Sequence, residues 1–115
     1  MDKILELIHE LGIKRTYVGY HQLATAVELV IEDENRLLYV HKWLYTDVAK
    51  IHNTTPACVE RNIRTVNLIC WNKGNRELLE QIAGHPLDER PGNGDFIDIL
   101  AAYIKNLSLE KNILN

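Results

Sequence analysis

Residues 55–74 carry a full set of boundary signals for one long helix. Thr55 can cap it and Pro56 suits its first turn, where the missing amide has no partner to lose. Gly74 can close it. At 1.5 Å per residue such a helix is roughly 27 Å long. The residues just before it, Val48-Ala49-Lys50-Ile51-His52-Asn53-Thr54, restrict how a preceding helix can meet it. Two helices joined steeply by a three-residue turn need a small residue at their crossing, and Ala49 supplies one. Four residues later the turn needs a residue that tolerates positive φ, and Asn53 is the next choice after glycine. The second helix then needs a cap, Thr55, and an inward apolar residue, Val59. This is the helix-turn-helix arrangement. His52 departs from it, standing where an apolar residue is usual, with Ile51 beside it.

Helical periodicity governs the rest of the chain, and no alternating strand pattern competes with it. A first helix is expected over residues 2–11, ended by Gly12, and a second over 19–34, burying Leu23, Val27, Val30 and Ile31. A short third helix is expected over 36–44 and a fourth over 46–52, with Thr46 as its candidate cap. A further helix over Arg76–Ala83 stops at Gly84 and Pro86. Residues 85–94, with two prolines and two glycines, read as a loop. A last amphipathic helix places Phe96, Ile99, Leu100, Tyr103, Ile104 and Leu107 on one face. The expectation for 115 residues is one all-α domain, residues 1–115, with six or seven helices around a helix-turn-helix.

Composition excludes several classes. With 46% apolar and 25% charged residues the chain is ordinary for a soluble protein. Its longest apolar run, residues 99–104, is too short to span a bilayer. Asp2, Glu6 and Glu10 interrupt any signal-peptide pattern. Two cysteines without a targeting segment fit a reducing cytoplasm. The formal net charge of −3 argues against a nucleic-acid partner until it is divided along the chain. Residues 36–76 carry +5, between flanking segments of −4 each. The basic stretch coincides with the helix-turn-helix, as an electrostatic footprint for DNA would.

The helix after the turn decides what the motif can do. At 100° per residue Val59, Ile63, Val66 and Cys70 fall together and face the core. Ala57, Arg61, Arg64 and Thr65 fall opposite, with Cys58 and Glu60 on the flanks. That outer face suits the major groove, where arginine bonds bidentately to guanine and glutamate accepts from cytosine. The plainer alternative is a solvated face with Glu60 and Arg64 as an i,i+4 ion pair, worth a few tenths of a kcal/mol. The base-contacting candidates are Glu60, Arg61, Arg64 and Cys58. The phosphate-contacting candidates are Lys50, Thr54, Thr55, Thr65 and Lys73.

Other chemistry finds little support. Cys58 and Cys70 lie about 18 Å apart on one helix and cannot pair. Cys70 reads as a buried small hydrophobe, and Cys58 as an exposed thiol near the helix start. His41, His52 and Cys58 lack metal-site spacing. No nucleophile–base pairing, carboxylate pair or phosphate loop stands out. Trp43, Trp71 and the tyrosines read as core packing. No enzyme activity, cofactor or metal is expected.

The run Leu44-Tyr45-Thr46-Asp47-Val48-Ala49-Lys50, then Asn53-Thr54-Thr55, then Val59-Glu60-Arg61 with Ile63-Arg64 and Trp71, resembles one family. It is similar to the C-terminal DNA-binding effector domain of the master response regulator of sporulation initiation in endospore-forming bacteria. Ile8-His9-Glu10-Leu11-Gly12-Ile13, Gly19-Tyr20, Lys73-Gly74-Asn75 and Phe96-Ile97 extend the likeness, which runs from about residue 5 to 107. The resemblance implies that Pro56–Asn72 is a recognition helix reading a promoter box, with Glu60, Arg61 and Arg64 facing DNA. It also implies tandem or homodimeric binding on DNA and a contact to the RNA polymerase sigma subunit from residues 73–83. Two departures accompany it. Cys58 stands where the family usually has a base-reading arginine. Met1 lies almost directly before the first helix, so the chain is expected to work without a receiver domain. The reading is a cytoplasmic, sequence-specific double-stranded DNA-binding transcription regulator. Its alternative is a stand-alone interaction module that contacts polymerase or the full regulator and binds DNA weakly.

Overall fold

The computed structural model describes the backbone of residues 1–114 and the side chains of residues 1–110. Among these residues are six α-helices and no strand: α1 (Asp2–Glu10), α2 (Val18–Glu32), α3 (Tyr45–His52), α4 (Pro56–Asn72), α5 (Arg76–Ala83) and α6 (Asn93–Leu114). The all-α expectation is met. None of the helices is long and apolar enough to cross a membrane.

The central element is α2. Tyr20, Leu23, Ala24, Ala26, Val27, Leu29 and Val30 bury almost its whole circumference. A helix buried nearly all round needs neighbours on every side, and α1, α4 and α6 supply most of them. From α1 come Ile4, Leu7 and Ile8, and from α6 Phe96, Ile97, Leu100, Ala101 and Ile104. Of the α6 residues expected on one face, Ile99, Tyr103 and Leu107 are half-buried against that core. Ile31, expected in the core from α2, likewise packs at its edge.

Two helix ends meet where α1 and α4 finish. The Asn75 amide donates to Leu11 O at 2.9 Å, and a side chain on Gly74 would begin 2.3 Å from that same carbonyl. Asn75 then caps α5, its Oδ1 accepting from the Leu78 amide at 3.0 Å. Lys73-Gly74-Asn75 therefore stops one helix, docks it on α1 and starts the next.

Several expectations are corrected. Residues 36–44 do not form an α-helix: Glu34–Tyr39 is a 3₁₀ segment and Val40–Leu44 a π turn. Leu44 is buried and Leu37 and Val40 are half-buried against the core, whereas Leu38, Tyr39 and Trp43 are exposed. The segment is also tied through polar bonds. Arg36 donates to Leu29 O of α2 at 2.8 Å and pairs with Asp47 of α3 at 3.1 Å. Thr46 is not a cap, because α3 continues directly from the π turn, whose carbonyl at Val40 already accepts the Tyr45 amide. The Thr46 hydroxyl donates to His41 O at 3.4 Å instead. The loop ends earlier than expected, because Asn93 and Gly94 open α6.

The aromatic residues divide between core and surface. Tyr20 and Tyr45 are core residues, whereas Trp43 packs against Tyr39 on the surface with ring centres 5.0 Å apart. Trp71 is half-buried and lies under the Arg76 guanidinium, 3.6 Å from its centre.

The contact of α2 with α4 is backbone-close. A Cβ on Gly19 would lie 2.3 Å from Asn62 O and 2.8 Å from Val66 Cγ1. Gly19→Ala is therefore expected to destabilise the fold by about 1–3 kcal/mol, the usual cost of overpacking a tight contact. Urea denaturation checks this; an unchanged midpoint would contradict the close approach.

Candidate nucleic-acid interface

The turn between α3 and α4 has the geometry its sequence demands. Asn53 adopts φ 54°, ψ 51°, and it is the one non-glycine residue at positive φ among those described. Its neighbour Thr54 donates its amide to Ala49 O at 2.9 Å, closing the end of α3. Thr55 is extended, and its hydroxyl accepts from the Cys58 amide at 3.2 Å, capping α4 with Pro56 in the first turn. Ala49 is buried at the crossing, with Val48 and Val59 fully buried beside it.

His52, the departure from the helix-turn-helix pattern, has a specific partner. Its Nε2 lies 2.7 Å from the Thr25 hydroxyl of α2, which itself donates to His21 O at 3.2 Å. A proton on Nε2 donated to Thr25 completes the chain. The hydrogen bond does for α3 what an apolar contact usually does. Burial, and then the nearby His21, lower the His52 pKa.

On α4, Val59, Ile63, Val66 and Cys70 are buried, as the helical period requires. Ala57, Arg61, Arg64 and Thr65 are exposed on the opposite side. Arg64 pairs with the half-buried Glu60 at 2.5 Å. An exposed i,i+4 pair is worth only about 0.3–0.5 kcal/mol, so Arg64 can exchange Glu60 for another acceptor at little cost. The Thr65 hydroxyl donates back to Arg61 O at 3.0 Å.

Cys58 is half-buried at the start of α4. Hydrogen bonds from the Thr55 and Thr54 side chains hold its thiol below the usual value, with Arg61 adding to the effect against some loss of hydration. Burial pushes the Cys70 thiol up to about 11.

The structure gathers Thr54, Thr55, Cys58, Glu60, Arg61 and Arg64 at the N-terminal half of α4, with Lys50 exposed on the last turn of α3. It does not bring Lys73 to them. Lys73 is 18 residues beyond Thr55, about 27 Å along the helix. Among the described residues no cluster of three or more His, Cys, Asp or Glu could hold a metal ion.

The sequence reading missed the two flanks of α4. On one side Asn62 Nδ2 donates to Gln22 Oε1 of α2 at 3.0 Å. On the other, the fully buried Asn67 donates to Pro91 O at 2.9 Å and to Asn93 Oδ1 at 3.3 Å, while Asn93 Nδ2 donates to Glu60 O at 3.2 Å. The loop before α6 is thereby bonded to α4. The one available signal was a polar Asn67 next to the apolar stripe.

A family model described as sporulation initiation factor Spo0A C terminal matches residues 4–104. The chain belongs to that family. The match runs from α1 into α6 and contains both helices of the turn. The Spo0A C-terminal family is a DNA-binding effector domain of the sporulation regulator, a regulatory rather than a catalytic family. Double-stranded DNA as partner and a role in regulating transcription follow from membership.

Two measurements check this local chemistry. Iodoacetamide near pH 8 is expected to modify Cys58 well before Cys70 in the folded protein, read by mass spectrometry; equal rates would contradict the two environments. Because the folded His52 pKa lies below the unfolded value near 6.5, the unfolded chain takes the proton first as pH falls. The His52 contribution is intact above about pH 6.5 and is lost below it, toward the folded pKa. Chemical denaturation at pH 7.5 and 5.5 should show a larger loss for the parent than for His52→Gln; equal losses would contradict this account.

Proposed function

We propose that this chain is a sequence-specific regulator of transcription that lays α4 in the major groove of promoter DNA. The observation that carries the reading is the outer face of α4. Arg61 stands there exposed and, among the described residues, without an ion pair, beside an Arg64 held only by Glu60. An arginine in that position can bond bidentately to guanine, and Glu60 can accept from cytosine when Arg64 moves to a base. Lys50, Thr54 and Thr55 contact phosphate at the turn, aided by the positive end of α4. Thr65 and Lys73 contact the backbone further along.

Cys58 changes what is read. Where the family usually has an arginine, a thiol offers no bidentate fork, and about 1–3 kcal/mol of discrimination at one base pair is lost. The box read by this chain is accordingly relaxed or different at that position. Tandem or homodimeric binding on DNA belongs to the same reading, as does a sigma-subunit contact from residues 73–83. That region offers exposed Arg76, Glu77 and Gln81 around a buried Leu79. The second reading, an interaction module that binds DNA weakly, is favoured by Cys58 and by the acidic segments on either side of the basic one.

A salt titration of binding to a duplex carrying the family's box, against a scrambled duplex, separates the two. The parent should show steep log–log salt dependence and a preference for the box. Arg61→Ala should cost about 1–3 kcal/mol on the box and relax the preference. Cys58→Arg should tighten binding to the family's box. Equal, weak binding to both duplexes, unmoved by Arg61→Ala, would overturn the reading in favour of the interaction module.

A further inference from the structure

A cavity of about 350 Å³ opens beside α4, on the flank that carries Glu60 and Arg64. His41 comes from the π turn, Tyr45 from α3, Glu60 and Arg64 from α4, Arg90 and Gly92 from the loop before α6, and Gly94 from the first turn of α6. The wall carries one carboxylate, Glu60, and Arg64 already binds it. Arg90 enters no ion pair among the described residues. Arg90 and Gly92 also border a neighbouring hollow that holds Asp88, Glu89, Asp95 and Asp98, none of which lines the first cavity.

The loop is fixed rather than loosely apposed. Asn67 holds the Pro91 carbonyl, and Asn93 is bonded to both Asn67 and the Glu60 carbonyl. The α6 helix starts at the cavity, where Gly92 O accepts the Phe96 amide at 2.9 Å. Its first amides, having no partner within the helix, add the positive end of α6 to the two guanidiniums. A Cβ at Gly92 would meet nothing within 4 Å, so the backbone there is open to an approaching group. Two arginines, a histidine and open backbone around a small hollow suit the two non-bridging oxygens of a phosphodiester.

We propose that this cavity receives a backbone phosphate of the bound duplex, with Arg90 as its main contact. The inference rests on the reading that α4 enters the major groove. A helix with its side chains is about 10–12 Å across and the groove about 12 Å wide, so the flanking strands come within side-chain reach of the helix edges. Glu60 and Arg64 form such an edge, and Arg90 stands just outside it.

The test compares parent, Arg90→Ala and Arg90→Lys on the box and scrambled duplexes across a salt series. One lost phosphate contact should flatten the log–log slope by about 0.9 and weaken binding about fivefold near 0.15 M salt. The loss should be equal on both duplexes, because a phosphate contact carries no sequence information. Arg90→Lys should retain most of the affinity. An unchanged slope and affinity in Arg90→Ala would overturn the proposal, as would a loss confined to the box. Titration of inorganic phosphate, read at the Gly92 and Gly94 amides by NMR, gives a second arm. Shifts in the parent that vanish in Arg90→Ala support the anion site. A parent that binds neither duplex defeats the DNA reading itself. If phosphate still moves those amides in that case, the duplex assignment is overturned and the cavity is a site for a free phosphate group.

Discussion

Burial of Val59, Ile63, Val66 and Cys70 along one stripe of α4 is the constraint on which the rest of the structure depends. A helix that must offer one face to a large ligand can be held only from its other faces and its ends. The apolar stripe anchors the inner face against α2, where Gly19 lets the two backbones come together. The N-terminal end is held by the left-handed Asn53 and the Thr55 cap, and the C-terminal end by Gly74 seated on Leu11. Asn62 and Gln22 tie one flank, and Asn67 and Asn93 the other. What remains untied is the side with Ala57, Arg61 and Thr65. A site built on a helix fixed in this way positions its side chains more closely than one on a loop.

The parts of the fold legible in the sequence are those governed by local rules. Ala49, Asn53, Thr55 and Pro56 each carry a steric or hydrogen-bonding requirement that a neighbour a few residues away makes specific, and the turn and the start of α4 follow from them. The same holds for the inner and outer faces of α4, which need only the helical period. Residues 36–44 depart from the expected helix where Arg36 reaches Leu29 and Asp47, polar ties 7 and 11 residues away that helical periodicity does not encode. Trp43 sits at helical spacing among aliphatics, which implies a core position, but the segment is not α-helical and its ring is exposed. His52 looked out of place until Thr25, 27 residues earlier, supplied its partner. The flank formed by Asn67 and the loop before α6 was invisible for the same reason.

Electrostatics shows the difference between an average and an arrangement. The net charge of −3 disfavours contact with DNA, whereas the +5 carried by residues 36–76 favours it where the turn lies. Acidic segments on either side weaken sequence-independent attraction to a polyanion. Within the basic region the charges are not equivalent. Arg36 is spent on structure through Asp47, Arg76 lies on Trp71, and Arg64 is lightly held by Glu60. Arg61 is left to the solvent and to any ligand on that face.

The central claim is that the untied face of α4 meets the duplex. Backbone amide shifts recorded while a box-containing duplex is added test it residue by residue. The account predicts the largest changes over residues 54–65 and at 90–94, with α1 and the buried part of α2 little moved. Changes centred on α5, or spread evenly over the surface with residues 54–65 unaffected, would contradict it.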